Sequence, residues 1–127
     1  MLGDPALIRH VEATVAWGHR AAGELLDRPT ALVGFNDKAA VGALQAAAEL
    51  GLRVPQDVSI AGFDDIDLSR ATRPMLTTVR QPLLELGRMA VSLLVRILER
   101  HELQTLQVEL ATELVIREST GTVRVPA

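Results

Sequence analysis

The chain has 127 residues, a length that suits one domain with a hydrophobic core of its own. Hydrophobic residues make up 48% of it and the mean hydropathy is +0.21, which argues against intrinsic disorder. The formal net charge of −3 disfavours nonspecific nucleic-acid binding, and the absence of cysteine excludes disulfides and thiolate metal sites. No apolar run is long enough to span a bilayer and residues 1–5 carry no export-signal pattern, so we expect a cytoplasmic protein without membrane contact.

The apolar pattern along the chain predicts alternating strands and helices. Apolar side chains recur at helical spacing over residues 15–27, 38–50 and 83–100. Short apolar runs bounded by turn residues predict strands or extended segments at residues 7–11, 31–35, 58–63 and 76–79, one or two strands within 107–118, and a frayed tail over 119–127. This alternation predicts a three-layer α/β fold, in which flanking helices cover a parallel sheet.

The second and third predicted helices differ in their apolar pattern. One face of helix 38–50 carries five small or apolar side chains and is expected to be buried: Ala40, Val41, Leu44, Ala47 and Ala48. Gly42 on the same helix would allow a neighbouring backbone to come close. Helix 83–100 is apolar around nearly its whole circumference, with its polar residues on one narrow stripe. Such a helix is expected to be covered on most sides, which the rest of a small domain cannot provide.

Polar side chains follow two of the predicted strands at the point where each strand ends. Asn36 and Asp37 follow one strand, and Asp64 and Asp65 follow the next. Ligands of open parallel sheets bind beyond the carboxyl ends of the strands, and neighbouring strands lie about 5 Å apart. An amide and carboxylates at that place suit vicinal hydroxyl groups, as on a sugar, or the ring N–H groups of a nucleobase. The structural alternative is that these four side chains only cap helices and close turns.

Other chemistries have weaker support in the sequence. Asp64, Asp65 and Asp67 form D-D-x-D, which could hold a hard cation, but the glycine and glutamate of an EF-hand loop are missing. The three histidines lack zinc spacing, and no nucleophile elbow, phosphate loop or dinucleotide fingerprint occurs. We therefore expect no metal, no cofactor and no catalytic residue. A small α/β enzyme with Asp64 and Asp65 as acid and base stays open as an alternative.

A resemblance to a known family covers roughly residues 14–120. The run RPTALVGFNDKAAVGALQAAAELGLRVPQDVSIAGFDDIDLSRATRPMLTTVRQP resembles the effector-binding domain of lactose/galactose-repressor-type (LacI/GalR) bacterial transcription regulators, and ATELVIREST is similar to their final strand. The resemblance implies a repressor that senses a small effector such as a sugar or nucleoside. It also implies a homodimer or higher oligomer that binds DNA through a headpiece missing from this chain. A periplasmic sugar-binding protein of an ABC transporter is the alternative.

The resemblance implies effector contacts at individual residues. Asn36 and Asp64 match the family's effector-binding residues, and Asp37, Ala13 and Trp17 are secondary candidates. Ala13 stands where several sugar- and purine-binding members carry an aromatic ring. Trp17 either stacks on the ligand or packs within the protein. Three further residues are implied as dimer contacts, on the helix after N-D and in the segment after G-F-D-D: Val41, Leu44 and Thr72.

The resemblance also divides the chain, which is expected to be a partial effector-binding and dimerisation domain. Residues of about 7–80 and 106–118 match the C-terminal subdomain of the type I periplasmic-binding-protein-like fold. The helix of about 82–104 belongs to the N-terminal subdomain in the family. The first strand of the C-terminal subdomain, central in the family's sheet, has no counterpart here. Its loss would leave two strand edges unpaired inside the sheet. We therefore expect the chain to compensate by re-pairing strands or by associating with another copy through helix 83–100.

Overall fold

The computed structural model describes residues 4–99 and 107–123. A 3-10 turn at Pro5–Leu7 precedes four helices and four short strands. In chain order these are α1 (Val15–Gly23), β1 (Ala31–Val33), α2 (Asp37–Glu49), β2 (Ser59–Ala61), α3 (Leu68–Ala71), β3 (Thr78–Arg80), α4 (Leu83–Leu98) and β4 (Glu113–Val115). The predicted alternation of strands and helices is confirmed, although α1 ends four residues before the predicted boundary and each strand is shorter than its apolar run.

The strands are arranged in sequence order and the first three are parallel. β1 pairs with β2 in parallel, with Leu32 opposite Ile60. Parallel bridges from Ala61 to Thr77 and from Asp64 to Arg80 join β2 to β3. β4 runs antiparallel to β3, a direction that the apolar pattern of residues 107–118 did not specify. The carboxyl ends of β1, β2 and β3 therefore point towards the same edge of the sheet.

Helix α2 forms the centre of the core. It packs against α1 on one side and against β1 and β2 on the other. A side chain at Gly42 would collide with the backbone of Val15 and His19 in α1, so the predicted close approach is confirmed. Within the predicted buried face, Ala48 is exposed, whereas Ala43 and Ala46, which were not predicted, are buried.

The position of α2 corrects two of the predicted dimer contacts. Val41 is only 4% exposed and Leu44 only 8%, and both belong to the core of the protomer itself. Buried side chains offer almost no surface to a second copy, so a dimer interface cannot be built on them. Thr72 is half-buried, and its hydroxyl donates to the carbonyl oxygen of Pro74 at 2.9 Å. The structure thus uses Thr72 to close its own loop.

The strand predicted at residues 7–11 is wrong. Leu7 and Ile8 are exposed, and residues 8–11 have no regular secondary structure. β1 pairs with a described strand on one edge only, and its other edge borders a cavity of about 620 Å³ that residues 7–11 line from the opposite side. An extended segment can join a sheet only if it comes within hydrogen-bonding distance of an edge, and the cavity separates these two. The incomplete sheet is therefore not repaired by re-pairing within the described part of the chain.

The frayed tail predicted from residue 119 onwards is also wrong at its start. Ser119 is fully buried. Its hydroxyl donates to the carbonyl of Ile60 at 2.5 Å and accepts the N–H of Thr77 at 2.8 Å. Its backbone carbonyl accepts the N–H of Ile60 at 2.8 Å. Ser119 thereby satisfies buried backbone groups of two neighbouring strand segments, which is a reason for order rather than fraying. Residues 124–127 lie outside the described part.

Helix α4 differs from α2 in having no buried residue at all. Leu84 is 71% exposed and Leu98 is 73% exposed, although both lie in a mostly apolar helix. This exposure is what the proposed division into subdomains predicts, and the division itself stays a prediction. In the described part of the chain, no helix has the length and apolar character that crossing a membrane requires.

Candidate functional site

Two turns meet where β1 and β2 end. We call Asn36 and Asp37 the β1 turn, and Asp64 and Asp65 the β2 turn. The backbone N–H of Asp37 donates to the carbonyl of Phe63 at 2.8 Å, which ties the two turns together directly. The N–H of Asp64 donates to the carbonyl of Val79 at 2.9 Å, which adds the end of β3 to the same corner of the sheet.

In the β1 turn, Asn36 begins helix α2. Its Oδ1 accepts the N–H of Ala39 at 2.9 Å, the usual arrangement of an asparagine N-cap. Asn36 is half-buried, and no hydrogen bond in the described part of the chain occupies its side-chain NH2 group. The capping alternative is thus correct for one end of the amide, while the other end keeps two donors for a ligand.

Asp37, the second residue of that turn, has a structural role. Its side chain is fully buried, and its two oxygens accept the N–H of Ile66 at 2.8 Å and the hydroxyl of Thr78. Burial raises the pKa of Asp37 above its ordinary value, and the hydrogen bonds from Thr78 and Ile66 only partly oppose that rise. Because the carboxyl group is sealed and fully engaged, the secondary effector role considered for Asp37 is wrong in this structure.

In the β2 turn, Asp64 faces outwards. Its Oδ1 accepts the side-chain amide Nε2 of Gln81 at 2.7 Å. The other carboxylate oxygen forms no hydrogen bond. Since every buried polar side-chain atom in the described residues has a partner, this oxygen is not buried and reaches solvent. The backbone φ of Asp64 is +111° and that of Asp65 is +55°, values that residues other than glycine seldom adopt. Such strain persists only where the surroundings hold it, and it is frequent at functional sites.

Asp65 is the centre of a buried ion cluster. Its side chain is 1% exposed and contacts Arg80 at 2.6 Å, Arg70 at 3.1 Å and Arg117 at 2.5 Å. Burial alone would raise the pKa of Asp65, but the hydrogen bonds and charges of Arg117 and Arg80 outweigh burial and hold this pKa well below its usual range. A carboxylate kept charged by three arginines cannot serve as a general acid, which removes the support for the acid–base pair with Asp64.

The remaining predicted residues lie outside this corner. Ala13 is exposed before α1, and Trp17 is 39% exposed, with the guanidinium of Arg20 at 5.6 Å from its ring centroid. No hydrogen bond, ion pair or ring contact among the described residues joins either of them to the two turns. Asp67 is fully exposed, and the described residues include no group of three His, Asp or Glu side chains close enough to hold a metal ion.

Sequence reasoning missed four residues that shape the corner: Thr78, Arg80, Gln81 and Arg117. No local signal pointed to Arg117, because Leu114 and Ile116 before it are exposed and its contact with Asp65 joins residues 52 positions apart. Gln81 belongs to the T-T-V-R-Q-P motif but had no assigned role. Its partner could not be read from the sequence, since the contact depends on how β3 lies beside the end of β2.

Comparisons with known proteins extend this description. The family model "Periplasmic binding protein-like domain" matches residues 4–120. The HTH-type transcriptional repressor CytR of Escherichia coli K12 is 41% identical over 120 residues, which are 92% of this chain and 35% of that protein. The chain thus spans about a third of the length of this curated relative.

Solved structures of similar proteins share the fold. The transcription regulator CcpA of Lactococcus lactis superposes with a TM-score of 0.88 at 32% identity, over 94% of this chain and 45% of that one. A LacI family transcriptional regulator from Arthrobacter sp. FB24, in complex with lactose, gives a TM-score of 0.77 at 36% identity, over 87% of this chain and 43% of that one. The observed α/β architecture is therefore that of periplasmic-binding-protein-like effector domains, of which this chain covers a part.

Proposed function

Since the chain belongs to the periplasmic-binding-protein-like effector domains of LacI-family transcriptional regulators, we propose that it binds a hydroxyl-bearing small molecule through Asn36 and Asp64. The observation that carries the proposal is the division of labour in the two turns. The first residue of each turn keeps hydrogen-bonding capacity towards solvent, while the second is buried. The effector we propose is a sugar, or the ribose of a nucleoside.

The free groups of the two residues are chemically complementary to vicinal hydroxyls. The NH2 group of Asn36 donates, and the free oxygen of Asp64 accepts. One hydroxyl of a diol can accept from the amide while its neighbour donates to the carboxylate. A hydrogen bond to a charged group contributes about 1.5–3 kcal/mol, so Asp64 supplies the larger share of the two. The lactose bound by the Arthrobacter relative is a ligand of this class.

The wider role follows from the family and is part of the proposal. We place DNA binding in a headpiece that these 127 residues do not contain, which the net charge of −3 supports. The parent regulator would be a cytoplasmic homodimer or higher oligomer. Effector binding would shift its equilibrium between two states of different operator affinity, provided that the effector binds the two states unequally.

Within this scheme α4 belongs to the second wall of the effector cleft. Its exposed apolar side chains and the absence of any buried residue support that assignment. Because the corner then forms only one wall, we expect weak sugar binding by the chain alone. We assign it no catalytic role, since Asp65 is held charged inside the ion cluster.

An NMR titration tests this function. Amide signals of the ¹⁵N-labelled chain are followed during addition of lactose or ribose, for the unsubstituted chain, for Asp64→Asn and for Asp67→Asn. We expect saturable shifts centred on residues 36 and 64 with at least one sugar, and roughly tenfold weaker binding in Asp64→Asn. Asp67→Asn makes the same substitution at a fully exposed side chain and is expected to bind like the unsubstituted chain. Absence of saturable shifts at the two turns with both sugars, or unchanged affinity in Asp64→Asn, contradicts the proposal.

A further inference from the structure

Arg80 is the last residue of β3 and contacts the β2 turn from the neighbouring strand. Its Nε donates to Oδ2 of Asp65 at 2.6 Å, and its Nη1 lies 3.2 Å from a carboxylate oxygen of Glu113 in β4. The backbone of Arg80 also forms a parallel bridge with that of Asp64. We infer that Arg80 is a positioning residue for effector binding, which fixes the direction of the Asp64 side chain through Asp65. This inference rests on the function proposed for Asp64.

Two consecutive residues of β3 hold the chain on either side of Asp64. The N–H of Asp64 donates to the carbonyl of Val79 at 2.9 Å, which fixes the planar peptide group before Asp64. The carboxylate of Asp65, one residue further on, is held by Arg80. Rotation about the N–Cα bond of Asp64 turns its side chain and the following chain together, because both are attached to the same Cα atom. Holding Asp65 in place therefore also keeps the Asp64 side chain in one direction.

The backbone of the β2 turn makes such a contact necessary. φ is +111° at Asp64 and +55° at Asp65, and neither residue is glycine. Backbone strain of this kind persists only where surrounding contacts oppose its relaxation. A turn that relaxed to negative φ would carry the Asp64 carboxylate in a different direction. The ion pair between Arg80 and Asp65 opposes that relaxation, so it keeps the free oxygen of Asp64 available to the effector.

Three arginines contact Asp65, and Arg80 differs from the other two in its surroundings. Arg117 is only 10% exposed and also donates to the carbonyl of Leu76, so its loss would disturb the protein interior. Arg70 lies on α3, the helix that directly follows the turn, so it does not connect the turn to the sheet. Arg80 is 44% exposed and extends from a strand that pairs with β4. Replacing Arg80 is therefore expected to change the affinity for the effector much more than the stability of the fold.

The test compares Arg80→Met with Arg53→Met in the whole 127-residue chain. Arg53 forms a similarly exposed ion pair with Asp57 before β2, at the opposite end of that strand from the two turns. Lactose and ribose serve as probes, and both are uncharged, so the loss of a positive charge alone does not repel them. Two arginines still hold Asp65 in Arg80→Met, and we expect a partial loss, with roughly fivefold weaker binding than in the unsubstituted chain. Arg53→Met is expected to bind equally well, and the thermal unfolding midpoints of the two variants are expected to agree.

An NMR coupling shows whether Arg80 acts on the conformation of the turn. The scalar coupling between the N–H and Hα protons of Asp64 depends on φ of that residue. We expect this coupling to change in Arg80→Met and to stay the same in Arg53→Met. Arg80→Lys keeps a cation beside Asp65, so it is expected to preserve the coupling and most of the affinity.

Each other outcome contradicts the positioning role. Equal affinity of Arg80→Met and the unsubstituted chain overturns the inference and leaves the proposed function standing. Weaker binding with an unchanged coupling at Asp64 also overturns it, because Arg80 would then not act through the direction of that side chain. The inference is equally overturned if Arg80→Met does not fold, or if Arg80→Lys loses as much affinity as Arg80→Met. If neither sugar binds the unsubstituted chain, the proposed function fails and the inference fails with it.

Discussion

The β1 turn and the β2 turn share one arrangement of their side chains. In each, the first residue leaves the strand with its side chain towards solvent and the second turns its carboxylate into the protein. The buried acids nevertheless have opposite environments, because Asp37 is held by neutral donors and Asp65 by three arginines. Each turn thus carries one half-buried residue with free hydrogen-bonding groups and one aspartate whose side chain is buried.

The difference between the buried acids has an energetic consequence. Arg117 is itself 10% exposed, so the pair that it forms with Asp65 is largely desolvated on both sides. A buried charge that loses its partner is strongly destabilising, whereas a buried acid among neutral donors can be replaced by an amide. Removal of the buried acid is therefore expected to lower the free energy of unfolding more in the β2 turn than in the β1 turn.

The largest effect is expected from Asp65→Asn. This variant leaves the guanidinium of Arg117 buried without a counter-charge, and we expect a loss of about 3 kcal/mol in the free energy of unfolding. Asparagine tolerates the positive φ at this position, so the loss reports on charge rather than on backbone strain. Urea unfolding measures it, with Asp67→Asn as the matched control, whose midpoint is expected to stay unchanged. A midpoint for Asp65→Asn equal to that of the control would show that the ion cluster does not hold the turn.

Asp37→Asn is expected to change the free energy of unfolding less than Asp65→Asn does. The contributions of Asp37 and Asp65 to stability are also expected to depend on pH in opposite directions. Burial raises the pKa of Asp37 in the folded state, so above the ordinary value near 4 the folded state binds more protons than the unfolded state. Its contribution to stability therefore falls as the pH rises from about 4 through the raised pKa. Asparagine cannot ionise, and the stability of Asp37→Asn relative to the unsubstituted chain is expected to increase over that range.

The contribution of Asp65 to stability changes with pH in the opposite direction to that of Asp37. The pKa of Asp65 is lowered in the folded state, so its contribution is complete above about pH 4 and is lost as the pH falls further. Urea unfolding of the unsubstituted chain and of Asp37→Asn, repeated between acidic and neutral pH, separates the two acids. A constant difference in stability between these proteins across the whole range would contradict the account of Asp37.

The smallest change in stability is expected at Asn36. Asn36→Ala removes the cap of α2 and should lower the free energy of unfolding by about 1 kcal/mol, while Asn36→Asp keeps an N-cap oxygen and should leave it nearly unchanged. Both variants remove the donors proposed for the effector, so both should weaken lactose binding. If the Asn36→Asp variant binds lactose as tightly as the unsubstituted chain does, the side-chain amide of Asn36 serves only as a helix cap.

Much of this arrangement was predictable from local chemistry. The strand-to-helix alternation, the cap at Asn36 and the close packing at Gly42 follow from apolar spacing, from capping preference and from the missing side chain of glycine. The sequence also placed Asn36 and Asp64 at the ends of neighbouring parallel strands.

The remaining features depend on contacts between distant segments. Thr78 holds the buried Asp37, and Arg80 and Arg117 hold the buried Asp65; these partners come from β3 and from the segment after β4. Val41 and Leu44 were misassigned because an apolar helix face looks the same whether it packs on α1 or on a second copy. Ser119 was misassigned because a short polar residue near the end of a chain carries no local sign of burial.

The most direct test of the central claim is the position of a bound sugar relative to the two turns. Intermolecular nuclear Overhauser effects between lactose and the labelled chain, recorded for the unsubstituted protein, provide that position. We predict contacts from the sugar to the side-chain amide of Asn36 and to the β-protons of Asp64. Contacts instead to Val33 and Phe35, beside the open edge of β1, would place the ligand in the neighbouring cavity and contradict the account.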